Sequence, residues 1–229
     1  MKPSGDGARP GAVKIAPSLL AADFVEIRDA IEAADRGGAD YFHLDVMDGR
    51  FVPNITWGPK LVHDMRKLTK TPFDVHLMIV EPERYVEEFI QAGAQLVSVH
   101  WEALTHANRI VSRIREKGAK AGIAINPATS LSVLDEILPY VDYLVVMSVN
   151  PGFSYQEYIA GSTAKVATAR RMIGERRLNV EIEVDGGVSL DNAAEIAHAG
   201  ADILVMGAGI YGTPAPAETI GRVRAACAP

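Results

Sequence analysis

Cysteine is almost absent from this chain: its 229 residues carry one, Cys227. No internal disulfide framework can form, and a reducing cytosol suits such a protein. Long apolar runs are missing as well. No stretch approaches the roughly 18 to 20 apolar residues that span a bilayer, and residues 1–12 lack the apolar centre of a signal peptide, so a cytoplasmic protein with no membrane partner is expected. Basic runs are also wanting, with a formal charge of -6. Nucleic acid, which is gripped by clustered Lys and Arg, is therefore not an expected partner, whereas a small anionic substrate needs only local donors. Finally, no Gly-x-Gly-x-x-Gly follows the first strand-like run, which argues against an open dinucleotide-binding sheet.

What is present is ample apolar material, 48% of the chain against 23% charged residues. That is enough for one substantial core. The most informative stretch is Tyr41-Phe-His-Leu-Asp-Val-Met-Asp-Gly-Arg-Phe-Val-Pro-Asn54. An apolar, strand-like run does not carry a histidine and acids without a reason. Alternation places His43, Asp45 and Met47 on one face and Phe42, Leu44 and Val46 on the other, so one face is chemistry and the other packing. Asp48-Gly49 then turns the chain, leaving Asp45 near a strand's C-terminal end, where α/β proteins build their sites. Phe73-Asp-Val-His-Leu-Met-Ile79 repeats the spacing and aligns His76 with Met78.

An internal echo organises the rest. Gly38-Ala39, Gly93-Ala94, Gly118-Ala119 and Gly200-Ala201 each follow a helical pattern and precede a strand-like run, as helix-ending glycines do. They are 55, 25 and 82 residues apart, which is two, one and three units of about 27 residues, the length of one βα unit. Eight units fill the chain from Lys14 to Pro229. This predicts strands near 14–18, 40–47, 73–79, 95–100, 120–125, 142–148, 180–185 and 202–206. Helical stripes are expected at Phe24, Ile27 and Ile31 after an Asp23-x-x-Glu26 cap, at Val86, Phe89 and Ile90 after Glu81-Pro82, and at Leu131, Leu134 and Leu138 after Ser130. The fold class that uses this count is a single (β/α)8 TIM barrel over 13–229, preceded by a flexible tail at 1–12.

In such a barrel the strand ends Ser18, His43/Asp45/Met47, His76/Met78, His100, Asn126, Met147/Ser148, Asp185 and Gly207 meet at one mouth. One histidine alone reads as a hydrogen-bonded core residue. Two histidines and two aspartates together read as nitrogen and oxygen ligands for a divalent ion. Asp48 reads as a turn residue, Glu183 as a buried structural partner and His63, His106 and His198 as surface. The turns Asn150-Pro151-Gly152-Phe153, Asp185-Gly186-Gly187-Val188 and Gly207-Ala208-Gly209 follow consecutive strands and suit an anion cradle of backbone N–H groups.

These motifs resemble the ribulose-phosphate 3-epimerase family over nearly the whole chain. The matching segments are Ile15-Ala-Pro-Ser-Leu-Leu20, His43-Leu-Asp-Val-Met-Asp-Gly49 with Phe51-Val-Pro-Asn54, His76-Leu-Met78, Asn126-Pro-Ala-Thr129, Met147-Ser-Val-Asn-Pro-Gly-Phe153 and Val184-Asp-Gly-Gly187. The resemblance implies a cytoplasmic isomerase of the pentose phosphate pathway that inverts C3 of D-ribulose 5-phosphate to give D-xylulose 5-phosphate. It further implies His43, Asp45, His76 and Asp185 as ligands of one divalent metal. Zinc is the first choice, and iron, manganese or cobalt fit the same donors. Asp45 and Asp185 would also be acid and base around a metal-stabilised enediolate. Substrate contacts would come from Ser18, His76, Met47, Met78, Met147, Gly152, Ser154, Gly186, Gly187, Gly207 and Ala208. A homo-oligomer that takes a sugar phosphate completes the expectation.

The chain departs from the family pattern where Ser154-Tyr155 replaces Gly-Gly, where Ala208 replaces Ser, and at Arg50. A 3-epimerase of a related ketose phosphate such as D-allulose 6-phosphate is therefore the near alternative. A metal-dependent hydrolase could use the same ligands, but three methionines facing the site suit exclusion of water better than its activation.

Overall fold

A computed structural model describes residues 12–228, so the expected tail lies outside the described residues except for Ala12. Eight parallel strands are present: β1 Lys14–Pro17, β2 Phe42–Met47, β3 Phe73–Met78, β4 Ala94–His100, β5 Lys120–Ile125, β6 Tyr143–Met147, β7 Glu181–Asp185 and β8 Ile203–Met206. Each of β2 to β7 pairs with the strand that follows it, and β8 pairs with β1, opposite Lys14↔Ile203 to Pro17↔Met206. Between β1 and β2 the cylinder is closed by a Ser18↔His43 bridge and by the Asp40 N–H donating to Ile15 O at 2.9 Å. The result is a (β/α)8 barrel.

Alternation along the strands separates two cores. Phe42, Leu44 and Val46, with Phe73, Val75 and Leu77 and their counterparts on the other strands, face outward into one large apolar cluster shared with the helices. Inside, Ala16, Leu96, Ala124, Tyr143, Val145, Ile203 and Val205 fill the cylinder. The helices are α1 Ile27–Arg36, α2 Pro59–Met65, α3 Val86–Gln91, α4 Ala107–Glu116, α5 Gly161–Glu175, α6 Ala193–His198, α7 Ala208–Tyr211 and α8 Pro216–Ala226. The four echo glycines end α1, α3, α4 and α6 with φ of 79°, 112°, 90° and 117°. Only glycine adopts such angles without strain, and each reversal feeds the next strand.

Two expectations need correction. No α-helix follows β5; Leu131–Leu134 and Leu138–Tyr140 form two 3-10 turns instead. Pro139 has no N–H to give a continuing helix and disfavours helical backbone at Leu138. Ser130 caps the first turn, and burial of Leu134 and Leu138 is kept. Phe24 is 49% exposed rather than core, its ring lying 4.8 Å from that of Trp57.

Candidate active site

Strands β2, β3 and β7 bring polar side chains into the barrel at the C-terminal mouth. His43 and His76 are wholly buried, with Asp45 and Asp185 only 4% and 8% exposed. His43 Nε2 lies 3.5 Å from Asp45 Oδ1 and 3.7 Å from Asp185 Oδ2, and His76 Nδ1 lies 3.4 Å from Asp185 Oδ2. These separations are too long for good hydrogen bonds, and neither ring nitrogen has another partner. Two buried nitrogens without a hydrogen-bond partner call for a ligand. A tetrahedral ion with bonds of about 2.0–2.2 Å separates its ligands by about 3.3–3.6 Å, which matches the observed spacing. The four side chains each offer an atom within 4.8 Å of the others, so a divalent cation fits this donor set.

The remaining ring nitrogens are held from behind. His43 Nδ1 is 2.7 Å from Asp74 Oδ2, and the other oxygen of Asp74 accepts the Tyr143 hydroxyl at 2.9 Å. His76 Nε2 is 2.9 Å from His100 Nε2, and His100 Nδ1 is 3.2 Å from Glu102 Oε2. Ser18 Oγ donates to Asp45 Oδ2 at 2.6 Å, and Thr56 Oγ1 donates to Asp45 O while accepting the Met47 N–H. Burial opposes a charged His43, but the carboxylates of Asp45 and Asp74 outweigh it and hold its pKa well above the usual imidazole value. Burial likewise opposes the Asp45 carboxylate, yet His43 beside it keeps the pKa below the usual range. Glu183, with Oε1 3.6 Å from His43 Nδ1, is pushed well up by burial and by the charge of Asp74. His100 is lowered to about 4, chiefly by burial.

Above this polar floor lies one recess. Its wall contains Ser18, Met47, Met78 and Met147, and its far end is formed by Gly152, Ser154, Gly186, Gly187, Gly207 and Ala208. No lysine or arginine lines it among the described residues. An anion there must rely on backbone N–H groups and hydroxyls. Gly186 is required by close approach, because a Cβ would stand 2.4 Å from Val149 Cγ2. Asn54 Nδ2 donates to Gly152 O at 2.9 Å and ties the loop after β2 to the loop after β6.

The family model of the ribulose-phosphate 3 epimerases matches residues 14–211. The chain belongs to the ribulose-phosphate 3-epimerase family. It is similar to the ribulose-phosphate 3-epimerase of Synechocystis sp., 49% identical over 214 residues that cover 93% of each chain. The ribulose-phosphate 3-epimerase of Bacillus subtilis is 44% identical over 93% of this chain and 98% of its own. The Arabidopsis thaliana relative, named chloroplastic, is 46% identical over 94% of this chain and 77% of its own. Among solved structures, 3-hexulose-6-phosphate synthase from Salmonella typhimurium superposes with a TM-score of 0.70 at 16% identity, covering 94% of this chain and 98% of that one. That last likeness is one of fold alone. The epimerase family makes this chain an enzyme of the isomerase class.

Every residue expected in this epimerase from the sequence as a ligand, proton carrier or substrate contact lies at this mouth, with His43 and His76 beneath the recess and the others on its wall, whereas His100, Asn126 and Ser148 do not line it. Asp48 is a turn residue: Oδ1 accepts the Arg50 and Phe51 N–H groups and Oδ2 that of Val80. Arg50 is exposed and lies outside the recess. His63, His106 and His198 are on the surface. Sequence reasoning missed Asp74, Glu102, Thr56 and Tyr143. Asp74 was within reach, because it shares β3 parity with His76. Nothing in the sequence around Thr56 announces that it grips Asp45 through the backbone.

Proposed function

We propose that the enzyme interconverts D-ribulose 5-phosphate and D-xylulose 5-phosphate by inverting C3. Asp45 and Asp185 move the proton on opposite faces of that carbon, and His43, Asp45, His76 and Asp185 hold one divalent ion, with zinc the first choice of element. The observation that carries the reading is the pair of buried carboxylates at the ends of β2 and β7, which both approach the orphaned His43 Nε2, Asp185 also reaching the second orphaned nitrogen, His76 Nδ1. In the barrel β2 and β7 are separated by β1 and β8, so the acids enter from different sides of the mouth.

Inversion next to a ketone needs a proton removed from one face and another delivered to the opposite face of a planar carbon. A single acid could only return the proton where it came from. The bound ion would supply Lewis-acid polarisation of the substrate's oxygens, worth several kcal/mol. Ser18, hydrogen-bonded to Asp45 Oδ2, fixes the rotamer of one proton carrier. Met47, Met78 and Met147 present an apolar wall to the reacting carbons and exclude water, which protects a carbanion-like species from stray protonation. The backbones of Gly186, Gly187, Gly207 and Ala208, with Gly152 and Ser154, receive the phosphate.

Incubation with ribulose 5-phosphate in deuterated water, followed by NMR, should show xylulose 5-phosphate carrying deuterium at C3. Release of inorganic phosphate, or full recovery of undeuterated substrate, would sink the reading. The alternative reading, a 3-epimerase of the longer ketose phosphate D-allulose 6-phosphate, rests on Ser154, Tyr155 and Ala208, which line the same recess where the family's sequence pattern differs.

A further inference from the structure

The chain of contacts running away from His76 has a direction. Glu102 stands just beyond β4, its Oε1 accepting the N–H of Asn126 at 2.8 Å and the hydroxyl of Thr129. Its Oε2 is 3.2 Å from His100 Nδ1. A carboxylate can only accept, so His100 Nδ1 carries a hydrogen. In the neutral ring Nε2 is then the lone-pair atom, and it faces His76 Nε2 at 2.9 Å. Two lone pairs cannot meet at that distance, so His76 Nε2 carries the hydrogen and Nδ1 is left bare. Nδ1 is the buried, partnerless atom that faces Asp185. The two rings lie within 20° of parallel with centroids 4.9 Å apart, and Phe51 packs on His100 with centroids 4.7 Å apart, which holds the geometry.

We propose that Glu102 is a remote positioning residue of the metal site: through His100 it sets the tautomer of His76 and keeps Nδ1 free to bind the ion. The inference rests on the reading of His76 as a metal ligand. Outer partners of this kind typically carry a 10- to 100-fold share of metal affinity. The arrangement differs from that at His43, where the carboxylate of Asp74 touches the ligand directly. Here a second imidazole is interposed, and the polarity of the whole relay is decided at a half-buried glutamate between the ends of β4 and β5.

Glu102→Gln separates this role from simple cross-linking of the loops. The N–H of Asn126 needs an acceptor, so the amide oxygen keeps that side and the NH2 turns toward His100. His100 must then accept at Nδ1 and donate from Nε2, which moves the His76 hydrogen onto Nδ1 and blocks its lone pair. Thr129→Val removes one loop tie and leaves the relay alone. Two measurements are made on each protein: long-range 1H–15N correlation of the metal-free, 15N-histidine-labelled chain, which reports the tautomer, and Zn2+ affinity by chelator competition. Wild type and Thr129→Val should show His76 with its hydrogen on Nε2 and equal affinity. Glu102→Gln should show the Nδ1–H form and bind Zn2+ at least about tenfold more weakly. An unchanged His76 tautomer in Glu102→Gln would overturn the relay, as would an equal loss of affinity in Thr129→Val. Failure of the wild type to bind Zn2+ would overturn the metal reading separately, since the spectra are taken without metal.

Discussion

Asp45 and Asp185 illustrate how much a single residue's placement decides. Both are buried and both face His43 Nε2 within 3.7 Å, yet only Asp45 receives a serine hydroxyl on its carboxylate, Ser148 donating instead to the backbone carbonyl of Asp185. Asp45→Asn and Asp185→Asn should each cut kcat by at least the 10²- to 10⁴-fold that a positioned proton transfer contributes. The two defects should differ in kind. With one acid lost, the surviving one can still exchange the C3 proton of the epimer that presents its hydrogen to that face, so NMR in deuterated water should record exchange without inversion for one substrate only. Wild-type inversion in either variant would refute the two-face assignment. The residues that carry this argument were legible because β2 alternates: a histidine and an aspartate two apart in an apolar run had to share a face. Glu102 was not, since its role depends on a contact through His100 that strand parity cannot express.

At the scale of elements, the eight strands were readable to within a residue or two, because each is a short apolar run and four of them, β2, β4, β5 and β8, are launched by a positive-φ glycine. The stretch after β5 was not, since its leucines keep a helical spacing and are buried without an α-helix beneath them. The loop from β6 to α5 carries the Ser154-Tyr155 departure from the family's sequence pattern. Tyr155 sits at φ 60°, a left-handed angle that costs a residue with a Cβ about 1 kcal/mol or more. The loop is nonetheless stapled, with Gln156 Nε2 donating to the carbonyls of Asn150 and Phe153 at 2.7 and 2.9 Å. Replacing Ser154-Tyr155 by Gly-Gly should remove the strain and raise thermal stability or leave it unchanged. If these side chains tune the substrate, the ratio of kcat/KM for ribulose 5-phosphate to that for allulose 6-phosphate should move by at least about tenfold, or roughly 1.4 kcal/mol. An unchanged ratio would show that the pair only covers the mouth.

For the whole molecule, the barrel interior is where folding and chemistry compete for space. Three strands devote their inner faces to acids and imidazoles, and the cylinder is filled across from them by one large ring, Tyr143, whose hydroxyl reaches Asp74 on β3. That ring has room only because its neighbour on β5 is glycine: a Cβ on Gly122 would lie 2.4 to 2.7 Å from three atoms of the Tyr143 ring. Gly122→Ala should therefore destabilise the fold by about 1–3 kcal/mol through overpacking in denaturant unfolding. It should also weaken Zn2+ binding, because a displaced Tyr143 loosens Asp74 and with it the orientation of His43. Either effect alone could come from backbone strain in β5, so the decisive measurement is a double-mutant cycle with Tyr143→Leu. A leucine cannot reach the position of the aromatic ring's outer atoms, so the added methyl should cost much less in that background, giving a coupling of at least about 1 kcal/mol. Equal costs of Gly122→Ala in the two backgrounds would mean that the ring and the glycine are not packed against each other, and that the site is not supported from across the barrel.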